Sequence, residues 1–118
     1  MKFYIYQPER PTFRVDKTKK VYNKGEYHLV YSESIKNYCG NPGIEHKVLL
    51  EMLFMDFNRE WKPRDYKGHS LSVGDIVVID KFAYICDNFG WKEITFTSGV
   101  INPPKCDNLN ELAFNNID

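Results

Sequence analysis

Hydrophobic and polar positions along this 118-residue chain follow two different periods. Phe3-Tyr4-Ile5-Tyr6-Gln7 is a short aromatic-rich run that stops before Pro8. Proline lacks a ladder N–H and suits a strand end. Val21-Tyr22 and Tyr27-His28-Leu29-Val30-Tyr31 are the next strand candidates, joined by an Asn23-Lys24-Gly25 turn. Alternation predicts Tyr27, Leu29 and Tyr31 on one face, with His28 and Val30 on the other. From 44 to 57 the period becomes helical. Lys47, Glu51 and Asn58 form a narrow polar stripe, while Val48, Leu49, Met52, Leu53, Met55 and Phe57 cover much of the remaining circumference. Such a helix is expected to lie deep, with Asn41 as its N-cap and Pro42 as its first residue.

The densest patterning lies between 63 and 94. Ser72-Val73-Gly74-Asp75 reads as a tight turn, because glycine tolerates positive φ and aspartate bonds to its own backbone. Ile76-Val77-Val78-Ile79 follows as a β-branched, buried strand. Two further runs, 82–86 and 91–96, flank Asp87-Asn88-Phe89-Gly90, which has the residues of a hairpin loop. The order predicts an α+β fold: a single domain, its mixed or antiparallel curved sheet packed on one main helix at about 42–58. Residues 99–118 contain Asn102-Pro103-Pro104 and an amphipathic fragment at 109–114. They are expected to form a C-terminal extension, as a short helix or a frayed end.

Composition narrows the classes. Sixteen basic and sixteen acidic side chains cancel, whereas a phosphate-neutralising nucleic-acid binder usually carries a basic surplus. Cancellation also argues against a DNA mimic, which needs many more carboxylates. The charges are uneven, however, since 9–24 holds six basic and two acidic residues. Eight Phe, eight Tyr and two Trp are enough both to fill a small core and to furnish a recognition surface. Cys39, Cys86 and Cys106 form no CxxC pair, and Met1-Lys2-Phe3 opens no signal peptide. Three thiols in a reducing cytoplasm are therefore expected. No apolar run has the length of a membrane span.

Chemical motifs are sparse. His69 and Ser70 lie near Asp65 and Asp75, but neighbours on a strand point to opposite faces, and a turn role for 68–70 is the simpler reading. Cys39 with His46 could mimic a cysteine–histidine dyad, yet no third group orients it. The three histidines, at 28, 46 and 69, lack zinc-ligand spacing, and neither Gly68 nor Gly74 opens a helix that could cradle phosphate. The sequence thus predicts no catalytic residue, no metal ligand and no cofactor. Tyr66, Phe89 and Trp91 are candidates for a contact platform. Phe89, set in the turn, is the one expected to face a partner, and Trp91 is expected in the core beside the helix.

Four segments together resemble the YodL-like family of small bacterial domains. Tyr27-His28-Leu29-Val30-Tyr31 is similar to its strand before the helix, and Leu50-Glu51-Met52-Leu53-Phe54 with Phe57-Asn58 to the helix itself. Pro63-Arg64-Asp65-Tyr66-Lys67-Gly68-His69-Ser70-Leu71-Ser72-Val73-Gly74-Asp75-Ile76-Val77 resembles its signature. The run from Ala83 to Ile94 is similar to its closing hairpin. Gly74 departs from an expected small polar residue, and Cys86 replaces a usual aliphatic. The resemblance predicts a domain over 1–98, with 99–118 outside it, and transfers no catalytic residue. It implies an accessory protein of Gram-positive and gut bacteria, often carried on plasmids, phages and conjugative elements.

The expectation that follows is a non-enzymatic, cytoplasmic protein-binding accessory protein, encoded on a mobile genetic element and docking on a bacterial protein. A host defence nuclease, restriction or CRISPR effector, is the candidate target. The partner-binding residues expected are Asp65, Tyr66, His69, Asp87, Asn88 and Phe89. The alternative is a nucleic-acid-binding module using the basic 10–24 segment, with Arg14, Lys17, Lys19, Lys20, Tyr22 and Lys24. The third class is a small enzyme of unknown chemistry, for which Cys39, His69 and Asp75 are the residues to test.

Overall fold

The computed structural model describes residues 1–10, 12, 14–59, 62–63 and 65–98. The chain runs β1 (Lys2–Pro8), β2 (Val21–Asn23), a 3-10 turn, β3 (Tyr27–Ser34), α1 (Ile35–Cys39), α2 (His46–Asp56), β4 (Ile76–Ile79), β5 (Phe82–Asp87) and β6 (Gly90–Thr97). The strands form one mixed sheet in the order β2-β6-β5-β4-β1-β3. Among the described residues, only β2 and β6 pair in parallel. The expected strands are all present, and β3 runs three residues further than the sequence reading. The expected C-terminal extension lies outside the described residues.

β1 lies between β4 and β3, with Phe3 and Ile5 opposite Ile79 and Val77. These four side chains share one face of the sheet, and α2 sits on it. Leu49, Leu50 and Leu53 of α2 are buried there with Phe57, Leu71, Tyr31 and Ile35. Burial of each such side chain contributes roughly 1.5–3 kcal/mol. The opposite face gathers Val15, Tyr22, Ile76, Ala83, Ile85 and Ile94. That face is concave. In a flat sheet β1 and β6 would stand roughly 14 Å apart, three strand spacings. Yet the Tyr6 and Phe96 rings meet edge to face at 4.9 Å, with Tyr27 on Phe96 at 5.4 Å. Aromatic packing inside the curl thus closes the sheet toward a half-barrel.

Three expectations change. The single domain is dominated by its curled sheet, and its main helix is shorter and shallower than patterning predicts. Asn41 accepts a bond from Gly43 N and closes a turn instead of capping the helix; α2 starts four residues later, behind Glu45. Val48 and Met55 are exposed because one short helix on a sheet has only one face to bury. Second, residues 35–39 form a helical turn capped by Ser34, and Tyr38 donates to the Asp56 carboxylate, tying α1 to the end of α2. Third, alternation in β3 fails. The register against β1 slips by one residue between Tyr31 and Leu29. This bulge at Val30 sends Tyr31 into the helix-side core while Tyr27 packs inside the curl.

Candidate functional site

Two groups of predicted residues occupy different parts of the sheet. The first surrounds Gln7, near the end of β1. The segment 63–75 returns from α2 past β3, where Lys67 N bonds to Val30 O, and enters β4 through the turn at 72–75. Its polar groups converge on the Gln7 carboxamide, only 4% exposed. Gln7 Nε2 donates to His69 O at 2.9 Å and to Asp75 Oδ2 at 3.0 Å, with Tyr66 Oη at 3.1 Å. Gln7 Oε1 accepts from His69 N at 3.1 Å. Tyr66 donates its hydroxyl hydrogen to His69 O. Its ring packs on Phe57 and Tyr31.

Asp75 is 1% exposed. Its Oδ2 also accepts from Ser72 N at 2.8 Å, closing the turn, while Oδ1 has no partner among the described residues. Burial pushes its carboxyl up to about 6, against the pull of the Ser72 and Gln7 bonds. Burial, with the nearby Asp75 charge, raises the Tyr66 hydroxyl to about 12. Gly74, at φ +97, takes the positive-φ position of the turn, so glycine suits the site where the family resemblance led us to expect a small polar residue.

Asp65 and His69 have exposed side chains, and Tyr66 is half-buried. His69 Nδ1 lies 2.7 Å from Ser70 O. A carbonyl can only accept, so in this contact Nδ1 is the donor. The Ser70–His69 pair therefore meets through a backbone carbonyl and not through the hydroxyl. Sequence reasoning missed Gln7. The available signal was its register: Gln7 follows Phe3 and Ile5 at two-residue intervals and falls on the buried side of β1.

The second group is the β5–β6 hairpin tip. Asp87 pairs with Gly90 across the strands, and Asp87 Oδ1 accepts from Asn88 N at 2.6 Å. Phe89 is 90% exposed. On one side it borders a cleft of about 670 Å³ shared with Arg14, Val15, Asp16 and Lys17. Lys17 Nζ stands 5.9 Å from the ring centroid. The basic segment is held on β6 by Lys92, whose ammonium donates to Lys17 O at 2.8 Å and Lys19 O at 3.2 Å.

The remaining basic residues diverge. Lys19 lies 4.6 Å from the Tyr22 centroid and Lys24 5.6 Å from that of Phe96. Lys20 is exposed. Tyr22 is buried under the curl, so it offers no free face for a base to stack on, contrary to the nucleic-acid reading of this residue.

Cys39 and His46 have different partners. Cys39 Sγ donates to Ile35 O, whereas His46 Nδ1 is 2.8 Å from Tyr84 Oη. Among the described residues, no three His, Cys, Asp or Glu side chains are placed to hold a metal ion. Trp91 is half-buried and packs against the helix-side core.

The model of the YodL-like domain family matches residues 2–96, so the chain belongs to that family. The match takes in both the Gln7 knot and the hairpin. No curated protein and no solved structure matches the chain.

Proposed function

We propose that this YodL-like protein acts without catalysis, docking on another bacterial protein through the β5–β6 hairpin tip, with Phe89 as the anchor. The observation that supports this reading is the position of Phe89. A side chain this apolar and 90% exposed sits on a turn held by five cross-strand residue pairs. Rigid presentation of an aromatic anchor lowers the entropy lost on binding. Asp87 and Asn88 flank it, and exposed Asp65 and His69 supply a second, separate surface. Among the described residues, no helix is long and apolar enough to cross a membrane. Residence in the bacterial cytoplasm, carriage on a mobile element and inhibition of a defence nuclease extend the same reading.

The deciding experiment is affinity capture from a bacterial lysate with the native chain and Phe89→Ala in parallel. The reading expects a partner retained by the native chain and lost, at least tenfold, with the variant. Equal retention by both removes the hairpin tip from the function.

A nucleic-acid reading has one specific support, since Arg14 and Lys17 share the Phe89 cleft. It predicts that binding to single-stranded DNA or RNA falls steeply from 50 to 200 mM salt, because each phosphate contact releases counterions. Absent or salt-insensitive binding excludes it.

A further inference from the structure

Phe89 is also the rim of a second cleft, on the helix side of the hairpin. Cross-strand pairing sets Tyr84 opposite Glu93 and Cys86 opposite Trp91, so Tyr84, Trp91 and Glu93 share the sheet face on which α2 lies. α2 packs its leucines over β1 and β4 and leaves this end of the ribbon open. The result is a cleft of about 490 Å³ with Tyr84, Trp91 and Phe89 as aromatic lining and Glu51 and Glu93 as carboxylates. Among the described residues, Lys47 is the one ammonium on its wall. Glu51 and Glu93 are exposed, and neither makes an ion pair with a described residue. The Tyr84 ring is fixed by its hydroxyl, 2.8 Å from His46 Nδ1, and by an edge-to-face contact with that imidazole at 5.7 Å.

We infer that this cleft receives an arginine side chain from the docked protein, the inference resting on the hairpin-tip reading above. Two unpaired carboxylates and three aromatic rings around one space match a planar cation that stacks on rings and forks onto carboxylates. A lysine ammonium satisfies only half of that description, because it cannot stack as a plane. The cleft exceeds the size of one guanidinium and leaves room for the flanking peptide. Phe89, standing between this cleft and the one beside Arg14 and Lys17, contributes to both walls.

The test is nuclear magnetic resonance of the native chain, following the Trp91 indole N–H, which Trp91→Phe identifies. The probe is the capped tripeptide acetyl-Gly-Arg-Gly-amide, against its neutral twin in which citrulline replaces arginine. The arginine peptide is expected to shift the Trp91 signal saturably and at least tenfold more tightly than the citrulline peptide. The Glu51→Gln/Glu93→Gln double variant is expected to lose at least fivefold in affinity while the rest of its spectrum stays native. Equal binding of the two peptides, no saturable shift, or full affinity in the double variant overturns the inference. None of those results touches the hairpin-tip reading, which stands or falls on Phe89→Ala in the capture experiment.

Discussion

Gln7 and Phe89 both sit close to turns of one sheet, yet the polar side chain is buried and the apolar one stands in solvent. Gln7 binds groups of the returning 63–75 segment, as the acceptor for His69 N and as a second partner for His69 O and Asp75 Oδ2. Phe89 has the Lys17 ammonium 5.9 Å from its ring centroid and borders two clefts. A single exposed apolar residue is common on protein surfaces and carries no message by itself. The contrast teaches where to look for each role. The Gln7-bound groups of the signature motif hold the fold, whereas the hairpin tip is expected to add little to stability and is the surface proposed for contact. Each variant below either breaks or sharpens that division.

Gln7→Leu is expected to have the largest effect. It leaves the Asp75 carboxylate, His69 O and His69 N without their buried partner, with a loss of about 4 kcal/mol in denaturant unfolding. A loss below about 1 kcal/mol means the knot is loosely hydrated, and the division fails on its buried side.

Gly68→Ala comes next. A Cβ there would lie 2.1 Å from Gln7 Oε1 and 3.1 Å from Val30 Cβ. The carboxamide cannot retreat without breaking its bonds to His69 and Asp75. Overpacking of this kind costs about 2–3 kcal/mol. A neutral outcome in thermal unfolding would show that Gln7 has another rotamer available.

Asp75 supplies a pH signature. Its folded carboxyl lies at about 6, above the ordinary unfolded value, so the folded state binds the proton more tightly. Stability from this group is therefore gained as pH falls through 6 and is reduced above it. Between pH 7 and 5 the native chain should gain about 1 kcal/mol relative to Asp75→Asn, which keeps an acceptor oxygen but cannot titrate. His69, Tyr66, Tyr27 and Cys86 surround this group electrostatically and are present in both chains, so the difference reports Asp75 together with its coupling to them. Parallel pH profiles would show that the carboxylate is better solvated than its burial implies.

Why the strands but not the knot were legible follows from the range of the forces involved. Runs such as Ile76 to Ile79 and the turn residues Asp87 to Gly90 write their conformation locally, and those elements appear where patterning puts them. The helix pattern misled because Val48 and Met55 are apolar without being buried. Nothing local distinguishes a core methionine from an exposed one. The β3 bulge depends on the partner register in β1, which no property of 27–34 encodes. The Gln7–Asp75 bond joins residues 68 positions apart, beyond any motif spacing. Asp75 reads as a turn residue from sequence, and it is one, through Ser72 N. Its second role needs the fold.

The smallest stability effect is expected at Phe89, and its smallness is the point. Replacing it by alanine removes a ring already in water, so unfolding free energy should change by no more than about 0.5 kcal/mol. The same truncation at Phe57, 1% exposed and packed on Tyr31 and Tyr66, should cost about 3–5 kcal/mol. Identical chemistry at two positions thus separates core from contact without any knowledge of a partner. The measurement is the shift in thermal midpoint for the two variants under one buffer. If Phe89→Ala falls by more than about a third as much as Phe57→Ala, the hairpin tip supports the fold after all. Its exposure would then be filled in solution, by the chain itself or by a second copy, and a concentration series of the midpoint tells those two apart, because only association makes it rise with protein concentration.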